Sequence, residues 1–509
     1  MNYLVGVMRR IIFSSMLAFG ILSLQAQNKT TLIRNVQLID GMGLPARLAD
    51  VRIKGNQIEA IGKLKVLPDE TIIDGKGQVL APGFIDTHSH VGGSLKKHPD
   101  ALADLNQGVT TIIGGQDGSG DGIESIQSGI KQIPIAVNWA TYTGHTDLRE
   151  AVMGEKNLGR AASDAEIKQM QVLLEQEMRK GSLGLSTGLE YAGAYFSSRK
   201  EVIELAKTAA AFKGRYMSHL RSEDVALADA LDEIIDIGRQ AKLPVQISHF
   251  KLALKDDWGK SPQILAQLQK AREEGIDITA DCYPYDFWSS TIKVLFPKTD
   301  YTNAQSAQYA VDHTFDADKS IVTRFAANPA YAGKTVTEIA AMRKESAAQT
   351  IMGLIAESTA YGKAHPEASG LEGIMGKSMT DEDVVNILAW SHTNICSDGS
   401  YGGHPRGFGS FTRVLGHYVR EQKIMSLETA IQKMTGLAAE QTGIKNRGII
   451  ATGYFADLVL FDPATVKDNA SVKTPQALST GIHKVWVNGV LVYENQAHTK
   501  KYPGVFISK

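Results

Sequence analysis

The chain has 509 residues, of which 43% are hydrophobic and 21% charged, and its formal net charge is −1. That is enough apolar material for a large globular core and room for two domains. A near-neutral charge with no basic stripe speaks against a nucleic-acid partner.

The N-terminus differs in kind from the rest. Met8-Arg9-Arg10 is a positive patch, Ile11 to Leu24 is apolar, and Gln25-Ala26-Gln27 offers a small residue for cleavage. This reads as a secretory signal peptide over 1–26, because its apolar core is too short for a membrane span. It predicts a periplasmic or secreted protein with no membrane span after cleavage. An uncleaved anchor is the competing reading. Cys282 and Cys396 are the cysteines of the chain. In an exported protein they could form one disulfide or stay as a free buried pair.

From Thr31 to Val79 the text reads as short β-strands: Thr31–Ile39, Ala49–Lys54, Gln57–Ile61 and Thr71–Asp74, with Gly41, Gly55-Asn56 and Gly75-Lys76-Gly77 as turns. The last stretch has the same character, with strands at Asp457–Phe461, Val485–Val487 and Leu491–Tyr493 and a hairpin signal at Asn488-Gly489. Residues 28–82 and 445–509 are therefore expected to build one small β-sandwich domain.

The middle, 83–444, alternates. Strands are predicted at Val109–Ile113, Ile135–Tyr142, Leu183–Ser186, Arg215–His219, Val245–Ser248, Asp277–Ala280 and Thr393–Ser397. Helices are predicted at Asp164–Lys180, Arg199–Phe212, Glu223–Ala241 and Pro262–Glu274. This is the rhythm of an α/β fold of the (β/α)₈ TIM-like barrel class, whose chemistry sits at the C-terminal ends of strands. The rhythm breaks over about 288–390. That stretch reads as an insertion over the barrel mouth, with helical segments and no clear strand.

Polar residues recur at the strand ends. Pro82-Gly83-Phe84-Ile85-Asp86-Thr87-His88-Ser89-His90 ends the first strand with two histidines at i and i+2, on the same face of a strand. Later strands end in Ser218-His219, Ser248-His249 and Ser397-Asp398. Neutral imidazoles hold a borderline metal such as zinc, and a carboxylate handles protons. Asp398 is the candidate for that carboxylate.

These motifs resemble the amidohydrolase superfamily, and within it the D-aminoacylase (N-acyl-D-amino-acid deacylase) family. The matching stretches are the His88-Ser-His90 segment, Gly108-Val-Thr-Thr, Gly144-His145, Leu148-Arg149, Gly184-Leu-Ser-Thr-Gly-Leu, Ser-His219-Leu-Arg221, Ile-Ser-His249-Phe-Lys251, Asp281-Cys-Tyr283-Pro-Tyr285, Ser397-Asp398-Gly and His404-Pro-Arg406. The resemblance implies a zinc-dependent hydrolase, with one or two Zn²⁺ ions, that cleaves the amide of N-acyl-D-amino acids. It implies that His219 and His249 bind the tight metal, that His88 and His90 belong to a second position, and that Asp398 is the acid/base. Lys251 and Tyr283 match positions that grip the substrate carboxylate. Arg221 could serve the same group, and Tyr191 and His145 complete the expected substrate contacts. Trp288 and Phe287 are expected to shape the acyl pocket. A small molecule is the expected partner, and oligomeric state is not legible.

One departure stands out. The family places a cysteine ligand after the second strand, and here the text is Gly115-Gln116-Asp117-Gly118. The fourth strand meanwhile ends in Gly188-Leu189-Glu190-Tyr191. Glu190 is the expected replacement ligand, with Asp117 as the alternative. A hard carboxylate in place of a soft thiolate favours two zinc ions or a harder metal. It also leaves a dipeptidase, including one for D-residue dipeptides, or a cyclic amidase on the same scaffold as alternative functions. A non-catalytic barrel would be marked by a missing ligand or a missing Asp398, and neither is missing.

Overall fold

The computed structural model describes residues 30–296 and 299–509, so the signal peptide expected at 1–26 lies outside the described residues. Among the described residues, no helix is long and apolar enough to cross a membrane.

Eight parallel strands follow one another around a barrel among the described residues. They are Phe84–Asp86, Val109–Gly114, Asn138–Thr141 continued by Thr143–Gly144, Gly184–Gly188, Arg215–His219, Val245–Ile247, Ile278–Cys282 and Thr393–Ile395. Closure joins the last strand to the first: His90 N donates to Gly399 O and Asp398 N donates to His88 O, both at 2.8 Å. That seam lays His88, His90 and Asp398 side by side. The helices between strands bury an apolar face, as in Leu227–Ala241, where Leu231, Ile234 and Ile237 join the main core. Helix Asp164–Lys180 starts with a full capping box, Ser163 with Glu166.

The two chain ends build one nine-stranded sheet among the described residues. It is joined where Leu458–Phe461 pairs antiparallel with Val79–Pro82. The first strand, Thr30–Leu38, branches it: one half pairs with Thr71–Asp74, the other with Val79–Pro82. Leu38, Val51, Leu80, Leu458 and Trp486 pack as its own core.

The insertion corrects the sequence reading. It carries strands, Phe287–Ser290, Ile321–Phe325, Lys334–Thr335 and Glu372–Lys377, hydrogen-bonded as one sheet over a separate hydrophobic cluster. Glu372–Lys377 contains two glycines, which read as strand breakers. Gly376 sits opposite Trp288, and a Cβ there would lie 2.3 Å from the indole, so the glycine is what lets the ring cross the strand.

Cys282 and Cys396 are buried, free thiols on adjacent strands, where Cys396 N donates to Cys282 O at 3.2 Å. Burial pushes both thiols up, so neither is a ready nucleophile or ligand.

Candidate metal centre and cavity

Residues from six strand ends meet at the top of the barrel. The Nε2 atoms of His88 and His90 lie 3.2 Å apart. On the other side, His219 Nδ1 lies 3.0 Å from His249 Nε2. Asp117 stands between these pairs. Its Oδ2 is 3.5 Å from His88 Nε2 and 3.4 Å from His90 Nε2, and its Oδ1 is 3.3 Å from His249 Nε2. Asp398 Oδ1 closes the ring, 3.2 Å from His90 Nε2 and 3.6 Å from His88 Nε2.

The backbone is forced to hold this arrangement. Asp117, His249 and Asp398 all have positive φ, at 57°, 36° and 47°. Such conformations cost about 1–3 kcal/mol each outside glycine and cluster at functional sites. His249 is held there by its own N–H, which donates to the Asp281 carboxylate at 2.5 Å. Asp117 is held by close approach, since a Cβ on Gly188 would lie 2.2 Å from the Asp117 carbonyl oxygen.

The outer ring nitrogens of His219 and His249 have carboxylate partners. Glu190 Oε2 is 2.8 Å from His219 Nε2, and Glu223 Oε1 is 3.1 Å from His249 Nδ1. Metal-bound histidines characteristically donate their other N–H to such a group, which fixes the tautomer and the ring orientation. The geometry therefore puts Glu190 behind His219, and leaves Asp117 in the position that faces the inner nitrogens of His88, His90 and His249.

The electrostatics match a cation site. Burial works against charge on His90, yet Asp117 and Asp398 hold it up at about 9. Burial and Lys251 oppose charge on His249, and Glu223, Asp117 and Asp398 raise it to about 10. Burial also disfavours the Asp117 carboxylate, but His88 and His249 keep it well below the usual range. Asp117 Oδ1 is buried without a hydrogen-bond donor. A buried ring of imidazoles and carboxylates that draws protons to itself is a donor set suited to zinc, which replaces those protons on binding.

Above the ring opens a cavity of about 540 Å³, lined by His90, Asp117, Glu190, Tyr191, His219, Glu223, Asp224, His249, Lys251, Trp288, Asp398 and Arg406, among others. Lys251 Nζ donates to Glu223 at 2.6 Å and lies 2.8 Å from His249 Nδ1. The Tyr191 hydroxyl lies 3.2 Å from His219 Nδ1. Tyr283 sits behind the wall, its ring 4.8 Å from the Arg406 guanidinium and its buried hydroxyl without a partner. Trp288 lines the cavity, whereas Phe287 carries the Lys377 ammonium over its ring.

Besides Tyr283, two more expected substrate contacts do not line the cavity. Arg221 turns outward and forms a two-point pair with Glu233, at 2.7 and 2.9 Å. His145 is fully buried and lies 2.9 Å from Glu201, which also accepts from Arg149. Arg149 then donates to Gly193 O, so this group supports the loop that carries Glu190 and Tyr191.

Glu223, Asp224 and Arg406 also line the cavity, and the sequence reading does not single them out as site residues. Glu223 was placed in a helix, but that helix starts at Leu227. Ser222 Oγ accepts from the backbone of Asp224 and Ala226 in a local turn, so residues 223–224 turn toward the cavity. Ser-Glu-Asp is also what a helix start looks like, which is why the signal was masked. Arg406, visible only as part of a motif, reaches Asp398 Oδ2 at 2.6 Å.

Comparison with known proteins identifies the family. The Amidohydrolase family matches residues 71–318 and 333–493. The chain is 35% identical to a D-aminoacylase of Alcaligenes xylosoxydans xylosoxydans, over 93% of this chain and 96% of that one. It is also 35% identical to an N-acyl-D-aspartate deacylase of the same organism, over 93% and 94%. Among solved structures, a crystal structure of D-aminoacylase superposes with a TM-score of 0.81 at 34% identity, over 94% of this chain and 99% of that one. An N-acyl-D-glutamate deacylase from Bordetella bronchiseptica, complexed with zinc and a phosphonate inhibitor, superposes with a TM-score of 0.82 at 29% identity, over 95% and 100%. The chain belongs to the amidohydrolase family, as a hydrolase of the D-aminoacylase type.

Proposed function

We propose that this protein is an exported, zinc-dependent amidohydrolase that splits N-acyl-D-amino acids into a carboxylic acid and a D-amino acid. The observation that carries the reading is Asp117, whose Oδ2 faces His88 and His90 and whose Oδ1 faces His249, in a cavity that also holds Lys251 and Arg406. His219, His249 and Asp117 would hold one ion, and His88, His90 and Asp117 a second. When bound, the ion supplies Lewis acidity, making water nucleophilic near neutral pH and drawing charge from the scissile carbonyl.

The chain's own groups do the rest. Arg406 occupies Asp398 Oδ2, which leaves Oδ1 facing the histidine ring. Burial opposes charge on Asp398, but Arg406 and the nearby imidazoles keep its carboxyl below the usual range, so it stands ionised with a free oxygen toward the ring. Asp398 Oδ1 takes the proton of the attacking water and returns it to the leaving nitrogen. Lys251 and Arg406 present an ammonium and a guanidinium to the substrate carboxylate, with the Tyr283 hydroxyl behind them. Trp288 closes one wall and keeps water away from the reacting atoms. The names of the relatives support the D-amino-acid class, and the N-terminal 26 residues support export.

The test is hydrolysis of paired N-acetyl-D- and N-acetyl-L-amino acids by metal-loaded enzyme, followed by amine release. Cleavage of the D series ahead of the L series supports the reading. Activity on neither series, with metal bound, rejects it.

A further inference from the structure

The loop that carries Asp117 is a closed turn. Gly115 begins it and Gly120 ends it, and the two ends touch: a Cβ on Gly120 would lie 2.6 Å from Gly115 Cα. Asp117 stands between them at its φ of 57°. Whatever keeps this turn closed also keeps the Asp117 oxygens aimed at the histidines.

Helix His145–Met153 supplies that hold from outside the histidine ring. Asp147 Oδ2 accepts from Gly120 N at 2.8 Å, and its Oδ1 accepts from Ser119 Oγ at 2.9 Å. Thr146 N donates to Gly118 O at 2.8 Å. Gly144 makes room for both contacts, since a Cβ there would lie 2.4 Å from Asp147 Oδ2 and 2.5 Å from Gly118 O. Gly118, Ser119 and Gly120, the three residues after Asp117, are thus each hydrogen-bonded to the first turn of one helix. That helix is itself anchored, because His145 and Arg149 both reach the buried Glu201.

The helix does not use Asp147 for its own start. An acidic side chain at the third helical position commonly folds back to satisfy the helix's first N–H groups. Here Gly144 offers no side-chain cap, and the Asp147 carboxylate still turns to the neighbouring loop. No cation draws it there: the charged neighbours that act on it, Glu150 and Asp121, are acidic.

We propose that Asp147 is a positioning residue for Asp117, holding Ser119 and Gly120 so that the closed turn presets the carboxylate for the ion. The inference rests on the reading of Asp117 as a zinc ligand and deepens it.

The experiment is zinc affinity by chelator competition on the full chain, with zinc alone as the probe. Asp147→Ala is expected to weaken zinc binding about tenfold, as loss of an outer support does. Asp147→Asn is expected to stay within about threefold of wild type, because its amide oxygen can accept from Gly120 N and its NH₂ can donate to Ser119 Oγ. That variant separates positioning from charge, since both variants remove the negative charge. In an Asp117→Asn background, Asp147→Ala is expected to add less than about twofold, because its effect runs through the missing ligand. Ser119→Ala removes one of the two bonds, weakens zinc by a smaller factor, and serves if Asp147→Ala does not fold. Unchanged affinity in the folded variants overturns the proposal. So does an equal loss in Asp147→Ala and Asp147→Asn, or a loss that persists in full without Asp117. Wild-type affinity in Asp117→Asn alone rejects the ligand reading instead, whereas loss there with none in Asp147→Ala rejects only the positioning role.

Discussion

Asp117→Asn probes the ligand assignment. Both Asp117 oxygens face imidazole nitrogens, Oδ2 at 3.4 and 3.5 Å and Oδ1 at 3.3 Å. Whichever way the amide turns, its NH₂ points at a histidine pair and occupies one of the two ion positions with a donor. Glu190→Gln is the internal control. It touches only the outer nitrogen of His219, and its amide oxygen can keep that contact. Loss of such an outer partner weakens metal affinity about 10–100-fold, and loss of a direct ligand exceeds that. Asp117→Asn is therefore expected to weaken zinc binding by at least about 100-fold, or about 2.7 kcal/mol. The assay is metal content by mass spectrometry after dialysis, with affinities from chelator competition. Full zinc stoichiometry in Asp117→Asn together with loss in Glu190→Gln would refute the reasoning and make Glu190 the ligand.

Four further outcomes are expected. Asp398→Asn keeps metal but lowers kcat by about 10²–10⁴-fold, as loss of a general acid/base does, and unaltered kcat rejects the role. Gly188→Ala places a methyl against the Asp117 carbonyl, so metal content falls although no ligand is changed; normal content would show that the loop can yield. Glu201→Gln leaves Arg149 short of its buried counter-charge and destabilises the fold by about 3–5 kcal/mol in denaturant titration. The fourth concerns pH. Burial pushes the Asp104 carboxyl from 3.8 up to about 7, against the hydrogen bond from Tyr401. The unfolded chain loses that proton near 4 and the folded chain keeps it to about 7. Stability therefore falls as pH rises through this window, by up to about 1.4 kcal/mol per unit, and is flat with respect to this group above it. Asp104→Asn removes that slope, and an unchanged slope in urea titrations between pH 4 and 7 rejects the assignment.

The barrel was legible because short strands alternate with amphipathic helices at a regular βα spacing, and several of the strands run into a polar residue at their C-terminal end. His88, His90, His219, His249 and Asp398 inherited their position from the strand ends. What lay beyond the strand ends was less legible. Arg221 is two residues past His219, as Lys251 is past His249, yet Glu233 on the following helix captures the guanidinium and turns it away. Glu223 was hidden by a local turn that imitates a helix cap. Whether Asp117 or Glu190 meets the inner nitrogens depends on which nitrogen of His219 turns inward, and that is a tertiary fact. The insertion's strands are short, glycine-bearing and separated by helices, so no period of two builds up over enough residues to be read.

The most direct test of the account is anomalous diffraction at the zinc edge from crystals of the metal-loaded protein. The account predicts one or two peaks inside the ring of His88, His90, Asp117, His219 and His249, within about 2.0–2.2 Å of His Nε2 or Nδ1 and Asp117 oxygens. Peaks elsewhere, or an empty ring in a protein that hydrolyses N-acyl-amino acids, would contradict it.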